Sequence, residues 1–162
     1  MNEIFYTTII APVGHLKITT DDTAILSVEF ADHYSASDSL QPEILRNAVS
    51  QLTEYFNGTR KEFSLKLKPE GTEFQKKVWQ LVESIPFGKT VSYFDLALLS
   101  GSENNTRAVG HANGKNPIPI IIPCHRVIGS SGKMTGYAGG IERKKWLLLH
   151  ELNIAKPAGK LL

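Results

Sequence analysis

Cys124 is the single cysteine of this 162-residue chain, and it stands in the run Ile122-Pro123-Cys124-His125-Arg126-Val127. One thiol can neither close an internal disulfide nor supply a four-ligand zinc site by itself. Free cysteines often serve only as small buried hydrophobes. Here the thiol is framed by a proline, a potential base and a cation, which points to a nucleophile. The thiolate is the attacking form, so a free pKa of about 8.5 has to be overcome by a nearby base or positive charge. A histidine acting as that base needs an orienting partner, usually a carboxylate. Glu151, at the end of the last expected helix, is the candidate partner.

The elements that must position these groups can be read along the chain. Ile4 to Ile10 is β-branched and aromatic, Ala11-Pro12-Val13-Gly14 is a turn, and Leu16–Thr20 and Ala24–Phe30 complete an antiparallel meander. A polar linker, Ser35–Ser39, leads to a helix opened by Pro42 and stopped by Gly58, and Phe63–Leu67 reads as another short strand. The composition shifts at Pro69-Glu70-Gly71, which sets the expected boundary between domains 1–70 and 71–162. Thr72 is a good N-cap for a helix running to Ile85-Pro86, and Ser92 caps a second over Tyr93–Leu99. A third, Asn104–Asn113, is rich in small residues: Ala108, Gly110 and Ala112. Two short helices joined by a tight glycine-containing turn suggest a helix-turn-helix, although an ordinary helical hairpin has the same pattern. The loop Thr135–Gly140 lacks the spacing of a P-loop or dinucleotide fingerprint. A closing helix over 141–152 carries Trp146, Leu147 and Leu149 as apolar anchors.

The bulk numbers narrow the class. A 41% hydrophobic and 21% charged composition is that of a soluble globular protein, and apolar stretches such as Ile118–Ile122 are core-strand size. The N-terminus lacks a signal-peptide core, and one cysteine suits a reducing cytoplasm. The net charge of +2 is split unevenly: residues 1–71 carry 6 basic against 10 acidic residues, and residues 72–162 carry 12 against 6. If one half meets a polyanion, it is the second.

Taken in order, the second half resembles the O6-alkylguanine-DNA alkyltransferases, also called methylated-DNA–protein-cysteine methyltransferases. The resemblance runs through Gly71-Thr72-Glu73-Phe74-Gln75, Val78-Trp79, Ile85-Pro86-Phe87-Gly88, Ser92-Tyr93, Arg107-Ala108-Val109-Gly110, Asn116-Pro117, Pro123-Cys124-His125-Arg126-Val127, Gly136-Tyr137-Ala138-Gly139-Gly140 and Lys144-Lys145-Trp146-Leu147-Leu148. It implies an α+β protein. A small ribonuclease-H-like α/β domain precedes a mostly helical winged-helix/helix-turn-helix domain that binds DNA and carries the chemistry.

The resemblance also implies roles. Cys124 accepts the alkyl group, His125 acts on the thiol through a water, and Glu151 holds His125. Asn116 ties the active-site turn to the helix-turn-helix, and Tyr93 donates toward guanine N3. Arg107 fills the space of the extruded base; Thr106, Ala108, Gly110 and Arg126 join it as DNA contacts. Tyr137, Ala138, Val127 and Lys144 line the base pocket. A base inside a duplex is shielded, so the chemistry requires flipping it out. A helix of small residues suits the narrow minor groove, whose degenerate code fits a protein that scans any sequence.

The implied partner is therefore double-stranded DNA containing O6-alkylguanine, met by a monomer, with neither cofactor, metal nor membrane. Where some relatives carry a loop serine, this chain has Ala138, which leaves preference for bulkier adducts or O4-alkylthymine open. Three other readings compete. An alkyltransferase-like damage binder would lack the cysteine, a cysteine hydrolase would turn over repeatedly, and a sequence-specific regulator would bind a palindrome as a dimer.

Overall fold

The computed structural model describes residues 3–130, 132, 137 and 139–156. They form an α+β protein whose contacts divide it into two compact units. One contains residues up to Glu70 together with Pro117–Pro119; the other runs over Gly71–Asn116 and from Ile120 onward. The return of three residues near 117 to the first unit is invisible to a linear reading.

In the first unit, β1 (Phe5–Ala11), β2 (Gly14–Thr20) and β3 (Ile25–Ala31) make an antiparallel sheet in sequence order. Ala11 pairs with Gly14 across the hairpin, where Gly14 takes φ 116°. Leu16, Ile18, Ile25 and Val28 are buried. Helix α1 (Glu43–Asn57) lies against β1 and β2 and buries Leu45, Ala48, Leu52 and Tyr55, the stripe expected of a helical period. It ends at Gly58, whose left-handed φ of 89° lets its N–H return to the carbonyls of Glu54 and Tyr55.

The strand expected over Phe63–Leu67 is reduced to one parallel bridge, Leu67 to Ile25. Ile25 N–H donates to Lys66 O and Lys68 N–H to Ile25 O, both at 2.8 Å. The alternation is real, but the segment meets the sheet only at its end.

The second unit is mostly helical. Helix α2 (Glu73–Glu83) opens with a full capping box: Gln75 N–H donates to Thr72 Oγ1 at 3.1 Å, and Thr72 N–H to Gln75 Oε1 at 2.9 Å. Between Gly71 and this first turn there is no room for a side chain. A Cβ on Gly71 would lie 2.5 Å from the Trp79 ring.

Strand β4 (Val91–Ser92) runs directly into α3 (Tyr93–Ser100), capped by Ser92 Oγ, which accepts from Asp95 N–H at 2.9 Å. The helix expected from Asn104 starts two residues later. Glu103–Asn105 form a 3₁₀ turn, and α4 covers Thr106–Gly114. Local side chains cause the offset: Ser102 Oγ takes Asn104 N–H, and Asn105 Nδ2 donates to Ser100 Oγ at 3.1 Å. Trp79 Nε1 donates to Ala112 O at 2.8 Å and fastens α2 to α4.

Ile118, Ile120, Ile121 and Ile122 of the apolar run are buried but do not form a strand, and Ile120 adopts φ 76°, a rare conformation for a β-branched residue. Strand β5 (Val127–Ile128) pairs in parallel with β4, Val91 opposite Val127 and Ser92 opposite Ile128. This two-residue ladder places the start of α3 beside the turn that carries the cysteine. Helix α5 (Ile141–Ala155) runs three residues beyond expectation. Its inward stripe is Lys144, Leu147 and Glu151, so the expected anchor Leu149 is wrong: it stands 57% exposed. Two charged residues on the buried face of a helix are costly unless partnered, and both have partners at the site described next. Among the described residues no helix is long and apolar enough to cross a membrane.

Candidate active site

Cys124, His125 and Arg126 form one 3₁₀ turn between Pro123 and β5, and all three are buried. Two asparagines near the end of α4 reach this turn. Asn116 Nδ2 donates to Ile122 O at 2.8 Å and Asn113 Nδ2 to Cys124 O at 3.2 Å.

Behind the turn sits Glu151, 1% exposed. Its Oε2 lies 2.6 Å from His125 Nε2 and accepts from Arg126 Nη2 at 3.1 Å. Its Oε1 accepts from Arg126 Nε at 2.8 Å and from Gly88 N–H at 3.2 Å. Burial by itself would raise the carboxyl's pKa. The hydrogen bonds and charges of His125 and Arg126 outweigh burial and hold Glu151 well below the usual carboxylate range. The ionised carboxylate can only accept, so the proton between it and His125 belongs on Nε2. Burial, with Arg126 and Lys144 nearby, keeps the His125 ring below its ordinary pKa despite the opposing pull of Glu151. The histidine is therefore neutral at pH 7, with Nδ1 as an acceptor. That Nδ1 is buried and has no protein hydrogen-bond partner among the described residues. A base oriented by a carboxylate, with its accepting nitrogen unused, is the arrangement general-base catalysis requires.

Burial pushes the Cys124 thiol up to about 11, against smaller opposing effects of the nearby Asn116 amide and the Lys144 charge. The resting site thus holds a thiol, not a thiolate, at neutral pH. The thiolate fraction grows as pH climbs toward that value. Alkylation of Cys124 by iodoacetamide without DNA should therefore rise about tenfold per pH unit between about pH 7 and about pH 10. A rate that levels off below about pH 8 would show that burial does not govern this thiol.

Lys144 is fully buried; its Nζ donates to Val127 O at 2.7 Å and lies 5.8 Å from the centroid of the Tyr93 ring. Burial lowers its pKa and the Cys124 charge opposes that shift. Val127 itself is buried in β5. Tyr93 is half-buried, and its ring lies along α4 at Gly110, where a Cβ would come within 3.5 Å of Cδ1. Tyr137 is buried, and burial together with the Cys124 charge pushes its hydroxyl above the ordinary tyrosine range. Ala138 lies outside the described residues. On α4, Arg107, Ala108 and His111 are exposed while Thr106 and Gly110 are half-buried.

Arg126 corrects the expectation of a DNA contact. It is 5% exposed, its guanidinium grips Glu151, and Nη1 donates to Ile85 O at 2.6 Å. An arginine's charge suggests a surface; here it serves inside, where a planar fork matches a carboxylate. Sequence reasoning also overlooks Asn113, which has no local signal, and Gly88.

Gly88 is held tightly by α5. Its φ is +79°, and a Cβ there would lie 2.7 Å from Ala155 Cβ. Gly88→Ala combines left-handed strain with a clash beside Glu151, so it should cost about 2–3 kcal/mol. Urea unfolding reads this directly; an unchanged midpoint would contradict it.

Comparison with known proteins fits this geometry. The model of the 6-O-methylguanine DNA methyltransferase DNA-binding domain matches residues 73–153, and that of the same family's ribonuclease-like domain matches residues 4–69. The chain belongs to the 6-O-methylguanine DNA methyltransferase family. Within the family it is 43% identical over 152 residues to a methylated-DNA–protein-cysteine methyltransferase of Mycolicibacterium paratuberculosis, covering 91% of this chain and 92% of the relative. The constitutive methylated-DNA–protein-cysteine methyltransferase of Bacillus subtilis is 42% identical over 154 residues, 90% of this chain and 93% of its own. Among solved structures, Mycobacterium tuberculosis OGT in complex with DNA aligns with a TM-score of 0.84 at 44% identity, covering 94% of this chain and 95% of that one. The α+β fold of the family, a small sheet unit followed by a helical one, is the fold described above.

Proposed function

We propose that this protein repairs DNA by moving an alkyl group from O6-alkylguanine to Cys124, one group per chain. The observation that carries this is the buried thiol in one turn with a histidine whose Nε2 is held 2.6 Å from an ionised Glu151. Membership of the family supports the same reading, as does similarity to relatives named for this methyl transfer. The activity is that of a methylated-DNA–protein-cysteine methyltransferase.

In this reading residues 71–162 form the catalytic, DNA-binding domain and residues 1–70 its ribonuclease-H-like companion. The α4 face bearing Arg107 and Ala108 enters the minor groove, with Thr106 and Gly110 at its flank. Small side chains let the backbone approach, and Arg107 takes the place of the flipped base. The extruded guanine lies against Tyr137 and Val127. His125 Nδ1 receives the thiol proton through a water, and Glu151 stabilises the imidazolium that results.

Sγ then attacks the alkyl carbon in line. The S–C bond forms as the C–O6 bond breaks, and the electron pair passes to the guanine, where Tyr93 offers a proton at N3. Lys144 lends positive charge beside the sulfur. No cofactor is called for, because the damaged base carries the alkyl group. The thioether is stable to water, so each chain acts once. The protein works as a monomer in the cytoplasm, where a reducing environment keeps the thiol free. With duplex in excess, repaired product should plateau at one per chain; continued turnover would refute the single-use mechanism.

A further inference from the structure

The end of α4 and the residues just after it hold the cysteine turn at two points, Asn113 and Asn116, and only Asn116 is expected from the resemblance. Ile122 O accepts two hydrogen bonds, from Cys124 N–H at 2.7 Å and from Asn116 Nδ2 at 2.8 Å. Cys124 O also accepts two, from Val127 N–H and from Asn113 Nδ2 at 3.2 Å. Cys124 O lies in the peptide plane that follows the cysteine; Ile122 O lies one plane further back and holds the Cys124 N–H of the plane that precedes it. Each carbonyl is fixed once by the turn itself and once by an asparagine amide, Asn113 from the last turn of α4 and Asn116 from two residues past its end. Pinning both planes restricts the cysteine backbone, and with it the direction of Cβ–Sγ.

Asn113 holds its place at a cost to the fold. It is 2% exposed, and its Oδ1 is buried with no hydrogen-bond partner among the described residues. Turning the amide over would set two oxygens against each other at Cys124 O, so only this orientation works. A buried acceptor left unsatisfied destabilises a fold, and an apolar residue of the same shape would avoid the penalty. The amide therefore does something an apolar side chain cannot. What it does is attach the nucleophile's carbonyl to the helix whose outer face carries Arg107 and Ala108.

We infer that Asn113 is a positioning residue for alkyl transfer: with Asn116 it ties the Cys124 carbonyl, and the Ile122 carbonyl that holds Cys124 N–H, to the end of α4, so that docking α4 on DNA aims Sγ at the flipped base. This inference rests on the alkyl-transfer reading above. A misplacement of about 1 Å in an oriented displacement can slow it about a hundredfold, whereas a small reagent approaching from any side is insensitive to such a shift.

The test uses the full chain with Asn113→Leu, which keeps the shape and removes the orphan acceptor, and Asn113→Ala as a second variant. Three quantities are read: single-turnover transfer at saturating O6-methylguanine duplex, duplex affinity, and iodoacetamide alkylation without DNA. Both variants should transfer about 10- to 100-fold more slowly. Their affinity and iodoacetamide rate should stay within about twofold of the parent, since neither the α4 face nor the thiol's surroundings is charged differently. The thermal midpoint of Asn113→Leu should not fall. Transfer at the parental rate in both variants would overturn the inference. So would a loss matched by an equal loss in iodoacetamide rate or in folding, which marks a general structural role. A parent chain that binds the duplex but never transfers would instead bring down the alkyl-transfer reading, and this inference with it.

Discussion

Cys124→Ala should abolish alkyl transfer and leave duplex affinity within about twofold of the parent. The chain has one cysteine, so no second thiol can take over, and water in the same place is a far weaker nucleophile. Binding survives because the exposed residues assigned to DNA, Arg107 and Ala108, lie on α4, and the cysteine turn is buried. The substitution removes one small side chain from a buried position, which should cost about 1 kcal/mol and leave the fold intact. Transfer of a labelled methyl group, run beside a gel-shift titration, separates the two outcomes. Residual transfer would move the nucleophile elsewhere. Lost binding would mean that the cysteine turn itself contacts the DNA.

Glu151→Gln has a second large effect, because one carboxylate serves three partners. The change keeps the shape but removes the charge that Arg126 and His125 share. It leaves a guanidinium 5% exposed and gripping a neutral amide. Stripping one partner from a buried ion pair costs about 3–5 kcal/mol, a large share of an ordinary domain's total stability of about 5–15 kcal/mol. Transfer should fall about 10²- to 10⁴-fold, the range for a general base that loses its orientation and electrostatic support.

Adding Arg126→Met to Glu151→Gln should restore much of the stability but not the rate, since it removes the stranded charge and not the lost orientation. The pH dependence has a defined sign. Glu151's folded pKa is depressed, so its contribution is fully present above the ordinary carboxylate pKa and is lost as pH falls through and below it. The parent should lose stability on acidification in that window, and Glu151→Gln should lose less. Denaturant midpoints measured from neutral pH downward check this; parallel curves for the two proteins would contradict it.

The features legible in the sequence obey local rules. Thr72 with Gln75 and Ser92 with Asp95 are caps that act within one turn, so they can be read in place. Gly58 stops α1 because glycine tolerates the left-handed φ there. Chemistry suggests the link from His125 to Glu151, since a histidine base needs an acceptor, but α5 has to close the chain separation of 26 residues. Long-range features leave no such trace. The β4–β5 ladder is two residues long and has no periodicity to detect.

Arg126 misleads because residue type places a charge at the surface, whereas here it is buried on a partner distant in sequence, Glu151; Lys144, expected in the base pocket, is buried on the Val127 carbonyl. Asn113 reads as the end of a helix of small residues; its meaning depends on where the Cys124 carbonyl arrives. Exposure on α5 inverts the simple apolar reading as well, with Lys144 and Glu151 inward and Leu149 outward. Functional helices break the amphipathic rule where the site needs charge inside.

The most direct test is intact-protein mass spectrometry after mixing the full chain with a duplex containing one O6-methylguanine, followed by peptide mapping. The expected result is a single gain of about 14 Da, one CH₂, saturating at one per chain and located on Cys124. No mass gain in a chain that still binds the duplex, or a methyl group on any other residue, would contradict the assignment of Cys124 as the acceptor.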